Sequence, residues 1–127
     1  MSKKIFIVEN EFIIAEDLTM MVEQIGYQTV GYARSLSEAT DRIASDLPDM
    51  VLLDVQLSGG MDGIELAHLL RKKYHIPFVF VTSFADATTR QAMEAAQPAG
   101  YLPKPFNQQD VEVVLTKAFE TDHQHRE

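Results

Sequence analysis

Four places in the chain set reactive side chains directly after short apolar runs: Glu9-Asn10-Glu11, Asp54, Thr82-Ser83 and Lys104-Pro105. One such place says little, because a buried strand must end at something polar. Together they offer acid, acid, hydroxyl and ammonium, a set suited to phosphoryl transfer onto a carboxylate. In that chemistry Asp54 is the nucleophile. Oxygens of the first cluster hold a hard cation such as Mg²⁺, which prefers carboxylate, carbonyl and water ligands. The ion and the Lys104 ammonium offset charge on the transferring group, and the Thr82 hydroxyl donates to one of its oxygens. Positioning and electrostatics carry most of such a reaction.

The chemistry requires elements that bring the four places to one rim. Residues 5–8, 50–53 and 78–81 are unbroken apolar runs rich in Val, Ile and Phe, with a weaker one at Tyr101-Leu102. Runs without alternation predict strands buried on both faces of a parallel sheet. Residues 27–33 mix polar with apolar and carry Gly31, which predicts a strand nearer the edge. Between the runs the apolar period becomes helical. Ile14, Leu18, Met21, Val22 and Ile25 form one stripe that stops at Gly26. Leu36, Ala39, Ile43, Ala44 and Leu47 form another, opened by a Ser35/Glu38 capping box. Residues 64–73 predict a third helix with a basic last turn, residues 86–96 an Ala-rich fourth, and the residues after Asn107 a fifth with Val111, Val114, Leu115, Ala118 and Phe119 on one face.

Five alternations of strand and helix predict an α/β fold: a doubly wound parallel sheet of five strands with helices on both faces. Function in such sheets gathers beyond the carboxyl ends of the strands, where the four reactive places fall. One domain is expected over residues 1–121, followed by an unstructured polar tail at 122–127.

Composition narrows the function. The 127 residues carry 11 Lys+Arg against 19 Asp+Glu, a formal net charge of −8, which makes direct binding to nucleic acid or anionic membranes unfavourable. The absence of Cys removes thiolate catalysis, disulfides and Cys-based zinc sites, and fits a reducing compartment. Met1-Ser2-Lys3-Lys4 runs into only a short apolar stretch before Glu9, so neither a signal peptide nor a membrane span is expected.

The segments IFIVENE, VLLDVQL, FVFVTS and GYLPKPF, in that order and spacing, resemble the receiver domain of two-component response regulators over about residues 3–120. The resemblance implies strand order 2-1-3-4-5 and a cytoplasmic domain whose Asp54 is phosphorylated from a phosphohistidine of a sensor kinase or phosphotransfer protein. It further implies Glu9, Asn10, Asp54 and the Gln56 backbone carbonyl as Mg²⁺ ligands, and Lys104 as a contact to the phosphoryl oxygen. Thr82 and Tyr101 become a switch pair, and the Lys104-Pro105 bond is expected to be cis. Output, or homodimer formation, is expected on the face formed by the fourth helix, fifth strand and fifth helix. The eight residues after Phe119 are too few for an output domain, so a separate partner or a longer chain is expected to carry it.

One position departs from the pattern. Receivers usually carry two adjacent acids after the first strand, and here Asn10 follows Glu9. An amide oxygen can coordinate Mg²⁺ but brings no charge, so metal affinity is expected to be about tenfold weaker or more. The plain alternative is that Asn10 caps the first helix. Weak metal binding would favour a pseudo-receiver, a protein-interaction module that works without phosphorylation. An aspartate-nucleophile phosphohydrolase would want an acid where Gln56 stands. Gln56 and Phe84 occupy positions able to set the lifetime of an aspartyl phosphate, and a large Phe84 is expected to exclude attacking water. The glycine-rich stretch 58–63 lacks the residues of a phosphate cradle and reads as a lead-in to the third helix.

Overall fold

The apolar runs form the centre of the molecule. In a computed structural model that describes residues 2–57, 62–83 and 86–126, with side chains up to residue 121, they are β1 (Lys4–Val8), β3 (Met50–Asp54) and β4 (Phe78–Thr82). They are flanked by β2 (Gln28–Ala33) and β5 (Gly100–Pro103), and the parallel order is β2-β1-β3-β4-β5, as the resemblance implied. Every residue of β3 is buried. Nothing polar interrupts β3 before its last residue, Asp54, which is why its sequence shows no alternation.

Alternate residues of each central strand serve opposite faces. Phe6, Val8, Val51, Leu53, Phe78 and Phe80 point to one face, where they meet α2 (Leu36–Asp46), α3 (Asp62–Leu69) and α4 (Ala87–Ala95). Ile5, Ile7, Met50, Leu52, Val79 and Val81 point to the other, against α1 (Phe12–Ile25) and α5 (Gln108–Arg126). Each fully buried aliphatic side chain contributes about 1.5–3 kcal/mol, so both layers are needed to hold the strand ends in place.

The helix ends follow their sequence signals. Gly26 caps α1 at φ 117°, a left-handed conformation that suits glycine. Ser35 accepts from the Glu38 N–H at 3.2 Å, and Glu38 reaches back to the Arg34 N–H at 3.2 Å. Asn107 and Asp110 cap α5 reciprocally, each side chain accepting from the other's N–H at 2.9 Å. The edge strand β2 bends at Gly31, φ 110°, where the Arg42 guanidinium lies close and donates to the Val30 carbonyl at 2.7 Å.

Two boundaries differ from the sequence expectation. The third helix turns into a π-helical turn at Leu70–Tyr74 and stops at His75, φ 56°. Leu70 is buried and Tyr74 packs on the same core, and the Ile76 N–H donates to the Leu70 carbonyl at 3.0 Å where the helix ends. At the other end the chain expected to be unstructured beyond Thr121 continues α5 to Arg126. Its polar residues give no apolar stripe to read, yet extending a formed helix requires only one more hydrogen bond per residue.

Candidate functional site

Strand register sets the rim. Val8 pairs with Leu53, so Glu9 and Asp54 emerge side by side. Asp54 pairs with Val81 and Thr82 with Pro103, so Thr82 and then Lys104 follow across the sheet. The backbone holds both ends of this row: Glu9 N–H donates to the Ala33 carbonyl and Lys104 N–H to the Thr82 carbonyl, each at 2.9 Å.

The ammonium of Lys104 sits among three carboxylates. It is 3.0 Å from Glu9 Oε1, 3.7 Å from Asp54 Oδ2 and 3.9 Å from Glu11 Oε2. Glu9 is 1% exposed, and its other oxygen accepts from the Glu11 N–H at 3.1 Å. Asp54 is 8% exposed, and its Oδ1 accepts from the Gln56 N–H at 3.2 Å. Burial, and after it the charge of Glu9, pushes the Asp54 carboxyl from 3.8 up to about 6, against the pull of Lys104 and the Gln56 N–H. A single ammonium leaves this cluster with excess negative charge.

That excess bears on a cation. Glu9 Oε1 is buried, and apart from the nearby Lys104 charge it has no hydrogen-bond partner. A buried carboxylate oxygen with no partner but a shared ammonium, next to a second crowded carboxylate, is a donor set that a hard divalent ion would satisfy. Among the described residues no group of three His, Asp or Glu side chains gathers closely enough to hold an ion alone. Further oxygens would have to come from an amide, a backbone carbonyl or water.

Asn10 does not cap α1. The cap position is Glu11, with no side-chain hydrogen bond, and the Asn10 amide has no hydrogen-bond partner among the described residues. Its amide is therefore not engaged in capping. The Thr82 hydroxyl donates to the Ser83 carbonyl at 2.7 Å, so it is turned onto its own backbone. Tyr101 is 43% exposed, its ring 6.2 Å from that of Phe80. The Lys104-Pro105 bond is cis. Phe84 and most of the glycine-rich stretch, residues 58–61, lie outside the described residues.

A polar cavity of about 150 Å³ opens beside Asp54, lined by Val55, Gln56, Thr82, Ser83, Asp86 and Thr89. Sequence reasoning named neither Asp86 as a lining residue nor Thr89. The signal was there in their spacing: Asp86 accepts from the Thr89 N–H at 2.8 Å as the cap of α4, which fixes that helix over the cavity.

An open doubly wound α/β domain with its charged cluster at the carboxyl rim is the class that fold and site define. The family model described as response regulator receiver domain matches residues 5–116, and the chain belongs to that family. It is 34% identical over 120 residues to the phyllosphere-induced regulator PhyR of Methylorubrum extorquens, covering 93% of this chain and 44% of that protein. It is 35% identical over 112 residues to the transcriptional regulatory protein PdtaR of Mycobacterium tuberculosis, covering 86% of this chain and 53% of that one. The chain thus spans about half the length of these curated relatives. Among solved structures it resembles the signal receiver domain of a modulated diguanylate cyclase from Desulfovibrio desulfuricans, with TM-score 0.88 and 32% identity over 98% of this chain and 99% of that one. The domain is a signalling module, and among the described residues no helix is long and apolar enough to cross a membrane.

Proposed function

We propose that Asp54 accepts a phosphoryl group from the phosphohistidine of a sensor kinase or phosphotransfer protein and that the domain passes this event to a downstream partner. One observation carries the reading: a buried Asp54 sits beside a buried Glu9, with the Lys104 ammonium reaching both. An Asp54 carboxylate oxygen attacks phosphorus, the P–N bond to the donor imidazole breaks, and the imidazole leaves with the bonding pair and takes a proton. Lys104 holds a phosphoryl oxygen, and the Thr82 hydroxyl leaves the Ser83 carbonyl to donate to another. Glu9, Asp54, Asn10 and the Gln56 carbonyl would hold a Mg²⁺ ion. When bound, that ion offsets the charge of the transferring group.

Movement of Thr82 would carry Tyr101 with it, since both border one cavity of about 410 Å³ between α4 and β5. The half-exposed ring is free to turn into that space. The face of α4, β5 and α5 is then the place where a partner, or a second copy of the chain, reads the phosphorylated state. The domain works in the cytoplasm and catalyses only its own phosphorylation and dephosphorylation.

Asn10 is the main support for a second reading, a pseudo-receiver that binds partners without phosphorylation, which membership of the receiver family does not favour. Incubation with acetyl phosphate and Mg²⁺ separates the two. A mass gain of one phosphoryl group that is lost in Asp54→Ala supports the phosphoacceptor, and no gain supports the pseudo-receiver.

A further inference from the structure

Gly63, at the start of α3, lies against the backbone of the phosphoacceptor itself. A Cβ built on it would overlap the Asp54 carbonyl oxygen, and would fall 2.5 Å from the Val55 carbonyl oxygen and 2.7 Å from Val55 Cα. All three are backbone atoms, so no side chain can swing aside. The Gly63 N–H also donates to the Val55 carbonyl at 3.0 Å. That N–H belongs to the first turn of a helix, where donors have no partner within the helix, so the loop satisfies α3 while α3 pins the loop.

We infer that Gly63 is a positioning residue for Asp54: its bare Cα lets α3 seat on the Asp54-Val55 peptide and so fixes the nucleophile and the neighbouring Gln56 carbonyl. Restoring ordinary contact would push that peptide away by about 1 Å, a misplacement that can lower a reaction about a hundredfold. Gln56 moves with it, because its N–H holds Asp54 Oδ1. The residue is invisible to a search for chemistry-bearing side chains, since its contribution is the absence of one.

The inference rests on the phosphoacceptor reading of Asp54, and the experiment keeps the two apart. Phosphorylation by acetyl phosphate and Mg²⁺ binding are measured on wild type, Gly63→Ala and Gly26→Ala. The last variant strains a left-handed glycine with nothing within 4 Å of the added Cβ, far from the rim, and reads stability alone. Gly63→Ala is expected to lose at least tenfold in maximal rate and to need at least tenfold more Mg²⁺ for half-saturation, while Gly26→Ala stays within twofold of wild type in both. A folded Gly63→Ala with wild-type rate and Mg²⁺ affinity overturns the inference. A wild type that takes no phosphoryl group overturns the reading of Asp54 instead.

Should Gly63→Ala not fold, the wild-type Gly63 amide decides. Slow hydrogen exchange and a resonance shifted by Mg²⁺ are expected, and fast exchange or an unmoved resonance overturns the proposal.

Discussion

Replacing Asp54 by Asn should make the protein more stable, by an amount that depends on pH in a defined direction. The folded state holds the Asp54 carboxyl at about 6 instead of 3.8, because the site is buried and Glu9 is adjacent. A carboxyl whose folded pKa is raised binds its proton more tightly when folded. Its favourable contribution is complete below about pH 4 and is lost as pH rises through about 6. The rise corresponds to about 3 kcal/mol at ~1.4 kcal/mol per tenfold, present as a penalty at pH 8. Asn keeps the shape, can still accept from the Gln56 N–H, and carries no charge. Asp54→Asn should therefore gain about 3 kcal/mol at pH 8 but only about 1 kcal/mol near pH 4.5, seen as roughly 10 °C in Tm at the higher pH. Urea unfolding at both pH values, without Mg²⁺, measures this. An equal gain at both values would show that Asp54 ionisation is not the source, and a loss at pH 8 would show that the Lys104 pair outweighs burial and Glu9.

Other expected outcomes test neighbouring parts of the site. Asn10→Asp should tighten Mg²⁺ binding by about tenfold or more by calorimetric titration, since it restores a charge beside a divalent ion; equal affinities would refute the role given to charge. Lys104→Met removes the ammonium 3.0 Å from buried Glu9 and should destabilise the fold by about 3 kcal/mol in urea at neutral pH, with Asp54 titrating still higher by NMR. Phe84→Ala should speed decay of the phosphorylated protein, followed by loss of its mass increment, and an unchanged rate would remove Phe84 from any part in lifetime.

The fold was legible because its signals are local. Unbroken apolar runs such as residues 50–53, helix stripes such as Val111 to Ala118, and caps at Ser35, Gly26 and Asn107 each depend on a few adjacent residues. The rim was legible for the same reason, since each reactive side chain directly follows a run. What escaped depends on contacts between distant segments. Nothing near Asn10 in sequence says that its amide leaves α1 uncapped, and nothing near Thr82 says that its hydroxyl folds back on Ser83. Lys104 lies nearest Glu9, not the Asp54 it is proposed to assist, although β3 is closer to β5 than β1 is, because burial leaves the Glu9 oxygen in need of a charge. Gly63 is the extreme case, since only the seating of α3 on β3's end reveals why no side chain can stand there.

The central claim concerns one carboxylate, and chemical trapping tests it most directly. An aspartyl phosphate is an acyl phosphate, so borohydride reduces it to the corresponding alcohol and leaves homoserine in place of the aspartate. After treatment with acetyl phosphate and Mg²⁺, followed by borohydride and peptide mapping, homoserine should be found at position 54. Trapping at another acid, or none under conditions that phosphorylate a known receiver, would contradict the assignment of Asp54 as the phosphoacceptor.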